Sequence, residues 1–156
     1  MSEAETLLAK CRAAGLKITT AESCTGGLLS GAITEIAGSS DIFDRGFVTY
    51  TNEAKVEMLG VRAETLDSFG AVSEQVALQM AEGALQNSKA DIAVSVTGIA
   101  GPGGSDSKPE GRVCFGLANS GVETFTETVE FGALGRKNVR HASVVHALNL
   151  FLSAVR

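Results

Sequence analysis

One stretch near the start of the chain reads as a β-strand that turns directly into an α-helix, and it constrains the fold most. Leu16, Ile18 and Thr20 alternate as in a strand. A later run recurs at helical spacing, namely Leu28, Leu29, Ala32, Ile33 and Ile36. We predict a strand over about residues 16–21 and a helix over about residues 25–37. Such a unit favours a sheet whose strands are linked through helices.

The other hydrophobic patterns continue this alternation of strands and helices. Helices are predicted over about residues 3–14, 52–59 and 136–154, with a further one capped by Ser73, and strands over about residues 46–50, 92–96, 112–118 and 124–131. The segment from Val61 to Gly70 reads as a connector without regular structure.

The connections between strands predict their directions. Helices join the first three strands, which is the normal route between parallel neighbours. A loop without a helix leads to the fourth strand, and Asn119-Ser120-Gly121 marks a hairpin before the fifth. Both of these pairs are therefore predicted to be antiparallel. We expect one domain over residues 1–156: a three-layer α/β/α fold with a mixed, mostly parallel five-stranded sheet.

Composition and charge exclude several classes of function. With 44% hydrophobic and 20% charged residues among 156, the chain is typical of a globular protein with a sizeable core. A net charge of −5 argues against a nucleic-acid or membrane-surface binder, which needs a basic face. Ser2 and Glu5 stand in capping-box register, so the N-terminus reads as a helix and not as a signal peptide.

The number and spacing of the cysteines predict a cytoplasmic protein and argue against a structural metal. Three cysteines without a close-spaced pair are typical of reduced thiols in a cytoplasmic protein. Histidines and cysteines show no zinc-ligand spacing, so we expect no metal, and no cofactor is predicted.

Three polar segments follow the first three predicted strands. They are Glu22-Ser23-Cys24-Thr25, Tyr50-Thr51-Asn52, and the stretch from Thr97 to Gly104. Because ligands of open α/β sheets bind beyond the carboxyl ends of the strands, we expect one site here. Ser23 would be a nucleophile at a helix start, where N–H groups around Thr25 and Gly26 hold an oxyanion. Cys24 is its rival, since a helix N-terminus lowers the pKa of a thiol. Helix capping alone is the commoner role of such residues.

Lys55 is the predicted general base for Ser23. A lysine one turn into a helix is usually a solvated surface charge, but burial would lower its pKa until the neutral amine accepts the Ser23 proton. Tyr50 would orient or relay that proton. Histidine is the less suitable base, because His141 and His146 both lie in the last predicted helix.

The glycine-rich loop over residues 98–104 is a candidate substrate ligand. Glycine lets backbone N–H groups approach an anion closely, so the candidate residues are Thr97, Gly98, Gly101 and Gly103. The loop is equally consistent with a plain crossover between two strands, and both interpretations stay open.

A basic cluster at the start of the last helix predicts an anion site. Arg136, Lys137 and Arg140 lie where the helix dipole disfavours cations. Arg136 and Arg140 also share a face at i, i+4 spacing. We expect these two arginines to bind a phosphate.

Ordered motifs extend over most of the chain: Thr20-Ala21-Glu22-Ser23-Cys24-Thr25-Gly26-Gly27, Arg45-Gly46-Phe47-Val48-Thr49-Tyr50, Asn52-Glu53-Ala54-Lys55, Gly70-Ala71-Val72-Ser73, Thr97-Gly98-Ile99-Ala100-Gly101-Pro102-Gly103-Gly104 and Lys108-Pro109-Glu110-Gly111. Together they closely resemble the C-terminal domain of the CinA (competence- and damage-inducible protein) family. The resemblance implies a three-layer α/β/α fold. It also implies hydrolysis of the carboxamide of nicotinamide mononucleotide to nicotinate mononucleotide and ammonia. Longer relatives carry an N-terminal domain resembling molybdopterin-binding proteins, whose activities are not expected here.

Two alternatives stay open beside this activity. One is a deamidase of another small amide, and the other is a non-catalytic interaction module linked to competence or recombination. The expected partner is a small-molecule nucleotide, with no direct nucleic-acid or membrane partner. Assembly into a homo-oligomer is left open.

Overall fold

The computed structural model describes residues 1–105 and 107–155, which are built around a five-stranded sheet. Its strands are β1 (Ile18–Glu22), β2 (Phe43–Val48), β3 (Ile92–Gly98), β4 (Arg112–Asn119) and β5 (Val122–Glu130). They lie in the order β2-β1-β3-β4-β5. β1 pairs in parallel with both β2 and β3, whereas β4 is antiparallel to β3 and β5. The predicted mixed, mostly parallel sheet is confirmed.

Helices cover both faces of this sheet. They are α1 (Glu3–Ala14), α2 (Leu28–Thr34), α3 (Asn52–Leu59), α4 (Ala63–Phe69), α5 (Glu74–Gln86) and α6 (Arg136–Ala154), with a 3₁₀ turn over Ser39–Asp41. α1, α2 and α6 pack on one face, and α3, α4 and α5 pack on the other. The predicted three-layer arrangement is therefore confirmed. In the described part of the chain, no helix has the length and apolarity needed to cross a membrane.

The alternation in β3 explains why the two faces differ. Its large side chains join the core under α1, α2 and α6, namely Ile92, Val94 and Val96. The other face is lined by small residues, and Ser95 Oγ donates to the carbonyl of Ala77 in α5 at 2.6 Å. A Cβ at Gly116 of β4 would lie 2.6 Å from that same carbonyl. α5 therefore packs closely on the sheet because its neighbours there are small.

The predicted boundaries of two elements differ most from the structure, while those of β1 and β5 differ by one or two residues. α2 begins at Leu28, not near residue 25, because Gly26 and Gly27 adopt φ values of +56° and +106°, outside the right-handed helical region. β2 spans Phe43–Val48 and not 46–50. It is an edge strand whose side chains are partly or largely exposed, so it lacks the alternation that would mark its limits.

The predicted connector between Val61 and Gly70 is wrong, because it contains α4. This helix directs little more than Thr65 and Leu66 toward the core, and no side chain caps its start. A helix with so narrow an apolar stripe leaves almost no periodic signal. By contrast, the hairpin predicted at Asn119-Ser120-Gly121 is confirmed as the β4–β5 turn.

The sheet brings three chain segments to one edge. β1 ends at Glu22, which lies opposite Val48 at the end of β2 and opposite Val96 in β3. The segments that leave these parallel strands therefore begin side by side. This edge carries the residues predicted to do chemistry.

Candidate active site

A buried carboxylate holds the turn between β1 and α2. Glu22 is fully buried, and Thr25 Oγ1 donates to its Oε1 at 2.6 Å. The N–H groups of Gly27 and Leu29 donate to the same oxygen at 3.2 and 2.9 Å. Ser30 donates to Oε2 through both its N–H, at 2.9 Å, and its hydroxyl, at 2.7 Å. Glu22 therefore caps α2 from inside the protein, where a carboxylate also suits the helix dipole.

This capping determines which N–H groups of the turn remain free. The N–H of Gly26 donates to the carbonyl of Ser23 at 3.1 Å. Within residues 1–105 and 107–155, the N–H of Thr25 makes no hydrogen bond, and that of Cys24 contacts only its own thiol. Of the three residues predicted to surround an oxyanion, the fully buried Thr25 therefore keeps an unbonded N–H donor, while the N–H of Gly26 is already used. Gly26 contributes the positive φ of +56° that the turn requires.

Ser23 and Lys55 meet inside the protein at the carboxyl edge of the sheet. Lys55 Nζ lies 2.9 Å from Ser23 Oγ, 2.9 Å from the carbonyl oxygen of Thr49 and 3.2 Å from that of Tyr50. Lys55 is 1% exposed, and Ser23 is 8% exposed. Thr51 caps α3 by accepting from Ala54 N–H, which fixes the first turn of the helix that carries Lys55. The sequence separates this pair by 32 residues, and the fold brings it together.

The surroundings of Lys55 suit a neutral amine. Burial lowers the pKa of Lys55 to about 8, while the nearby Cys24 opposes this shift. A neutral amine has two N–H groups and one lone pair. The carbonyls of Thr49 and Tyr50 accept from the two N–H groups, which leaves the lone pair for the hydroxyl proton of Ser23. In this arrangement a lysine can act as a general base toward a serine hydroxyl.

The thiol of Cys24 has the opposite electrostatics. Cys24 is buried, and this burial raises the pKa of its thiol to about 11 despite a hydrogen bond from its own backbone and the nearby cations Arg140 and Lys55. At neutral pH the thiol is therefore protonated and poorly nucleophilic. This supports Ser23 over Cys24. The three cysteines are free and buried, in agreement with reduced thiols.

Tyr50 contributes its backbone to the Ser–Lys pair and its side chain to the surface. Its carbonyl oxygen contacts Lys55 Nζ at 3.2 Å and lies 3.4 Å from Ser23 Oγ. Its side chain is exposed, and its hydroxyl accepts from Arg136 Nη2 at 2.9 Å. The predicted proton relay through the phenol is thus not formed in this structure. Residue 50 lies beyond the end of β2, where its side chain turns outward.

The two arginines predicted to bind phosphate have different surroundings. Arg136 is exposed, and its Nη1 donates to the carbonyl of Gly101 at 2.8 Å. Arg140 is half-buried and donates to the carbonyls of Cys24 and Thr25 at 3.0 and 3.2 Å. Carbonyl partners therefore explain why both cations tolerate the N-terminal turns of α6. Arg136 is the more exposed of the two and lies at the edge of the site.

Thr97 and Gly98 have structural surroundings at the start of the loop over residues 98–104. Thr97 is buried, and its hydroxyl donates to the carbonyl of Ala71 at 2.9 Å. A Cβ at Gly98 would lie 2.7 Å from Cγ2 of Val113, so close strand packing requires glycine there. Neither residue presents a free polar group that the structure directs at Ser23.

A carboxylate that the sequence motifs did not single out as functional shapes the rest of the loop. Glu110 Oε1 accepts from Gly103 N–H at 2.7 Å, and its Oε2 accepts from Gly135 N–H at 2.9 Å. A Cβ at Gly101 would lie within 2.8 Å of this side chain, where Gly101 adopts a φ of +90°. Glu110 therefore ties the loop to the start of α6 and places the carbonyl of Gly101 beside Arg136.

Other polar residues lie elsewhere. His146 stacks near the ring of Phe115, with a centroid separation of 4.5 Å, and contacts Glu127, so it is a packing residue. Within residues 1–105 and 107–155, no group of three or more His, Cys, Asp or Glu is arranged to hold a metal ion. A cavity between α1, α2 and α6 is lined in part by Leu28, Lys137 and Leu148, and it does not include Ser23.

Comparison with known proteins gives one family. Residues 1–155 match the CinA C-terminal domain family. A nicotinamide-nucleotide amidohydrolase, PncC, from Escherichia coli K12 is 54% identical over 138 residues, which cover 88% of this chain and 83% of that protein. A putative competence-damage inducible protein from Caldicellulosiruptor saccharolyticus is 50% identical over 143 residues, or 90% of this chain. The chain spans about a third of the length of that relative and of a similar one from Symbiobacterium thermophilum.

Solved structures agree with this comparison. The crystal structure of a competence/damage inducible protein from Agrobacterium tumefaciens superposes with a TM-score of 0.94 at 52% identity, covering 97% of this chain and 92% of that one. A CinA superfamily protein from Escherichia coli superposes with a TM-score of 0.93 at 36% identity, with coverages of 98% and 88%.

Proposed function

The chain belongs to the CinA C-terminal domain family, and on that premise we propose that it hydrolyses nicotinamide mononucleotide to nicotinate mononucleotide and ammonia. The substrate is suggested by relatives named nicotinamide-nucleotide amidohydrolase, at 53–54% identity over most of the chain. The reaction type is supported independently by the site, since a nucleophile and a base in contact suit acyl transfer.

One observation carries the proposal: Lys55 Nζ lies 2.9 Å from Ser23 Oγ with its other two hydrogen-bonding directions occupied by carbonyls. Burial also lowers the pKa of Lys55 to about 8, near the pH at which a base works efficiently.

In the first half of the reaction, Ser23 forms an ester with the substrate. Ser23 Oγ attacks the carboxamide carbon while its proton passes to Lys55 Nζ. The carbonyl oxygen becomes an oxyanion, and the unbonded N–H of Thr25, together with the N–H of Cys24, stabilises it. The tetrahedral intermediate then collapses: the C–N bond breaks, the Lys55 ammonium returns a proton to the leaving nitrogen, and ammonia departs.

In the second half, water hydrolyses that ester. Lys55, again neutral, takes a proton from a water molecule whose oxygen attacks the acyl carbon. When the new tetrahedral intermediate collapses, the bond to Ser23 Oγ breaks and Lys55 returns the proton to Oγ. Nicotinate mononucleotide leaves, so one water has been consumed and one ammonia released.

Arg136 is the proposed ligand of the 5′-phosphate. It is exposed and connected to Ser23 through Tyr50, which contacts Ser23 Oγ with its carbonyl and Arg136 with its hydroxyl. A dianionic phosphate would form charge-assisted hydrogen bonds with this guanidinium. The loop over residues 98–104, with Gly101 and Gly103, borders the same region and is proposed to contact the nucleotide.

Ammonia release tests the proposal. We expect release from nicotinamide mononucleotide by the unmodified protein, and we expect it to persist in EDTA because Ser23 and Lys55 supply nucleophile and base. Ser23→Ala should lower kcat by about 10⁴-fold or more, as loss of a nucleophile does in serine hydrolases. Cys24→Ala should keep most of the activity, and it is the matched control one residue away.

Three outcomes would contradict the proposal in different ways. Release of ammonia from another pyridine amide but not from the mononucleotide would show that the proposed substrate is wrong. Full activity in Ser23→Ala with none in Cys24→Ala would show that Cys24, and not Ser23, is the nucleophile. Absence of ammonia from every amide tested would favour the non-catalytic interaction module.

A further inference from the structure

Arg140 donates hydrogen bonds to the backbone of the turn that carries Ser23. Its Nε donates to the carbonyl of Cys24 at 3.0 Å, and its Nη2 donates to the carbonyl of Thr25 at 3.2 Å. A Cβ at Gly26 would lie 3.1 Å from Nη2, so the guanidinium lies directly against the turn. A residue of α6 thus binds two consecutive peptide groups that lie more than a hundred residues earlier in the sequence.

The first of these contacts acts on a free donor. The carbonyl of Cys24 and the N–H of Thr25 belong to one planar trans peptide group and point in opposite directions. A cation on the carbonyl polarises that group and makes its N–H a stronger donor. This N–H of Thr25 makes no hydrogen bond in the part of the chain that the structure describes.

The second contact steadies the neighbouring peptide group. The carbonyl of Thr25 shares its peptide group with the N–H of Gly26, which donates to the carbonyl of Ser23 at 3.1 Å. On the other side of the turn, Glu22 accepts from the hydroxyl of Thr25 at 2.6 Å. Thr25 is therefore held by a cation at its backbone and by an anion at its side chain.

We propose that Arg140 is a positioning residue that holds and polarises the Cys24–Thr25 peptide group, so that the N–H of Thr25 stabilises the oxyanion formed on attack by Ser23. The proposal rests on the proposed amide hydrolysis and replaces the expectation that Arg140 binds phosphate. Its guanidinium faces backbone oxygens, whereas Arg136 is the exposed cation of the pair.

Steady-state kinetics on two substrates separate the roles. Arg140→Gln should lower kcat by about 10-fold or more, toward the 10²–10³-fold that loss of an oxyanion donor costs. The decrease should be the same for nicotinamide mononucleotide and for its riboside, with little change in KM. Arg140→Lys should recover part of kcat, because an ammonium can bind one of the two carbonyls. Arg62→Gln, which removes an exposed arginine at the start of α4 on the other face of the sheet, is the matched control.

A second readout does not depend on the natural substrate. A fluorophosphonate forms a bond from Ser23 Oγ to phosphorus and expels fluoride, while the Ser23 proton passes to Lys55. Its phosphoryl oxygen occupies the position of the oxyanion, so Arg140→Gln should slow labelling of Ser23 by a similar factor. Mass spectrometry of the labelled peptide measures this rate even if no pyridine amide is hydrolysed, in which case the substrate proposal fails by itself.

The kinetics can overturn the inference in three ways. A loss confined to the mononucleotide would make Arg140 a phosphate ligand, and unchanged kcat and labelling rates would make it a packing residue. If Arg140→Gln does not fold, Arg140→Lys is tested in its place. Unchanged kcat and labelling rates in that variant, with a raised KM for the mononucleotide, would again overturn the inference.

Discussion

At the scale of single residues, the protein places a lysine where an ammonium is costly. Lys55 is 1% exposed, and no carboxylate forms a salt bridge with it among the described residues. Its partners are two carbonyl oxygens and one hydroxyl. Burial without a counter-ion lowers the pKa of a lysine, which is what a general base near neutral pH requires.

The rate of hydrolysis should follow the titration of Lys55. In the proposed mechanism the neutral amine is the active form. Because the pKa of Lys55 is lowered to about 8, kcat/KM should rise with pH through that value and then level off. Lys55→Met keeps the aliphatic stem but removes the base, so it should abolish the chemical step. A pH–rate profile of both proteins measures this, and a loss of only a few fold in Lys55→Met would remove Lys55 from the mechanism.

The same titration should appear in the stability of the fold. The pKa of Lys55 is about 8 when folded and 10.5 as a free side chain, so the unfolded chain binds more protons between these values. The free energy of unfolding should therefore gain up to about 3 kcal/mol from this group as pH rises from 8 to 10.5. Urea unfolding at several pH values, compared with Lys55→Met, isolates the effect. Identical pH dependence in both proteins would contradict it.

At the scale of elements, the β1–α2 turn combines what the pattern could and could not predict. Alternation in β1 and helical spacing in α2 predicted a strand, a turn and a helix with Ser23 between them. The role of Glu22 was missed, because a glutamate at a strand end is ordinarily read as solvent-facing. The sequence did contain a signal for this role: a charged residue stands between buried neighbours and is followed by Ser, Thr and Gly. Its five donors come from residues that only the folded turn brings together.

Replacing Glu22 by glutamine should destabilise this turn. An amide nitrogen would face N–H and hydroxyl donors in place of one carboxylate oxygen, so Glu22→Gln should lower the free energy of unfolding by about 1–3 kcal/mol. kcat should also fall, since Glu22 holds the turn that positions the next residue, Ser23. Urea unfolding and ammonia release measure the two effects. Glu35→Gln, exposed at the other end of α2, is the control, and equal behaviour of both variants would contradict the capping role.

Other elements show why the prediction of the fold was incomplete. The antiparallel β4–β5 hairpin followed from a turn motif that is local in sequence. α4 and the limits of β2 did not follow, because a short helix with a narrow apolar stripe and an exposed edge strand lack periodicity. The order of the strands is set by packing between distant segments, and no local pattern encodes it.

At the scale of the whole molecule, the site exists because three loops and one helix meet. Arg136 of α6 contacts the hydroxyl of Tyr50 and the carbonyl of Gly101, which lie 86 and 35 residues away in sequence. The sequence identified Arg136, Tyr50 and Gly101 separately as candidate site residues. It could not predict that Tyr50 would contact Arg136 instead of Ser23, since that depends on the position of α6.

The phosphate selectivity of the enzyme should depend on Arg136. A charge-assisted hydrogen bond contributes about 1.5–3 kcal/mol, so Arg136→Met should raise KM for the mononucleotide about 10–150-fold. The riboside lacks the phosphate and should be affected little. Arg62→Met removes an exposed arginine at the start of α4 and serves as the control. Equal kcat/KM values for riboside and mononucleotide in the unmodified protein would contradict a phosphate site.

The central claim, that Ser23 is a nucleophile activated by Lys55, is tested most directly by trapping the ester. The protein is mixed with nicotinamide mononucleotide, quenched in acid within the first turnovers and digested, and the peptides are examined by mass spectrometry. The account predicts the acylated nucleotide on Ser23 of the peptide that contains Glu22 and Cys24, and no such adduct in Ser23→Ala or Lys55→Met. The same adduct on Cys24, or its formation at the normal rate in Lys55→Met, would contradict the account.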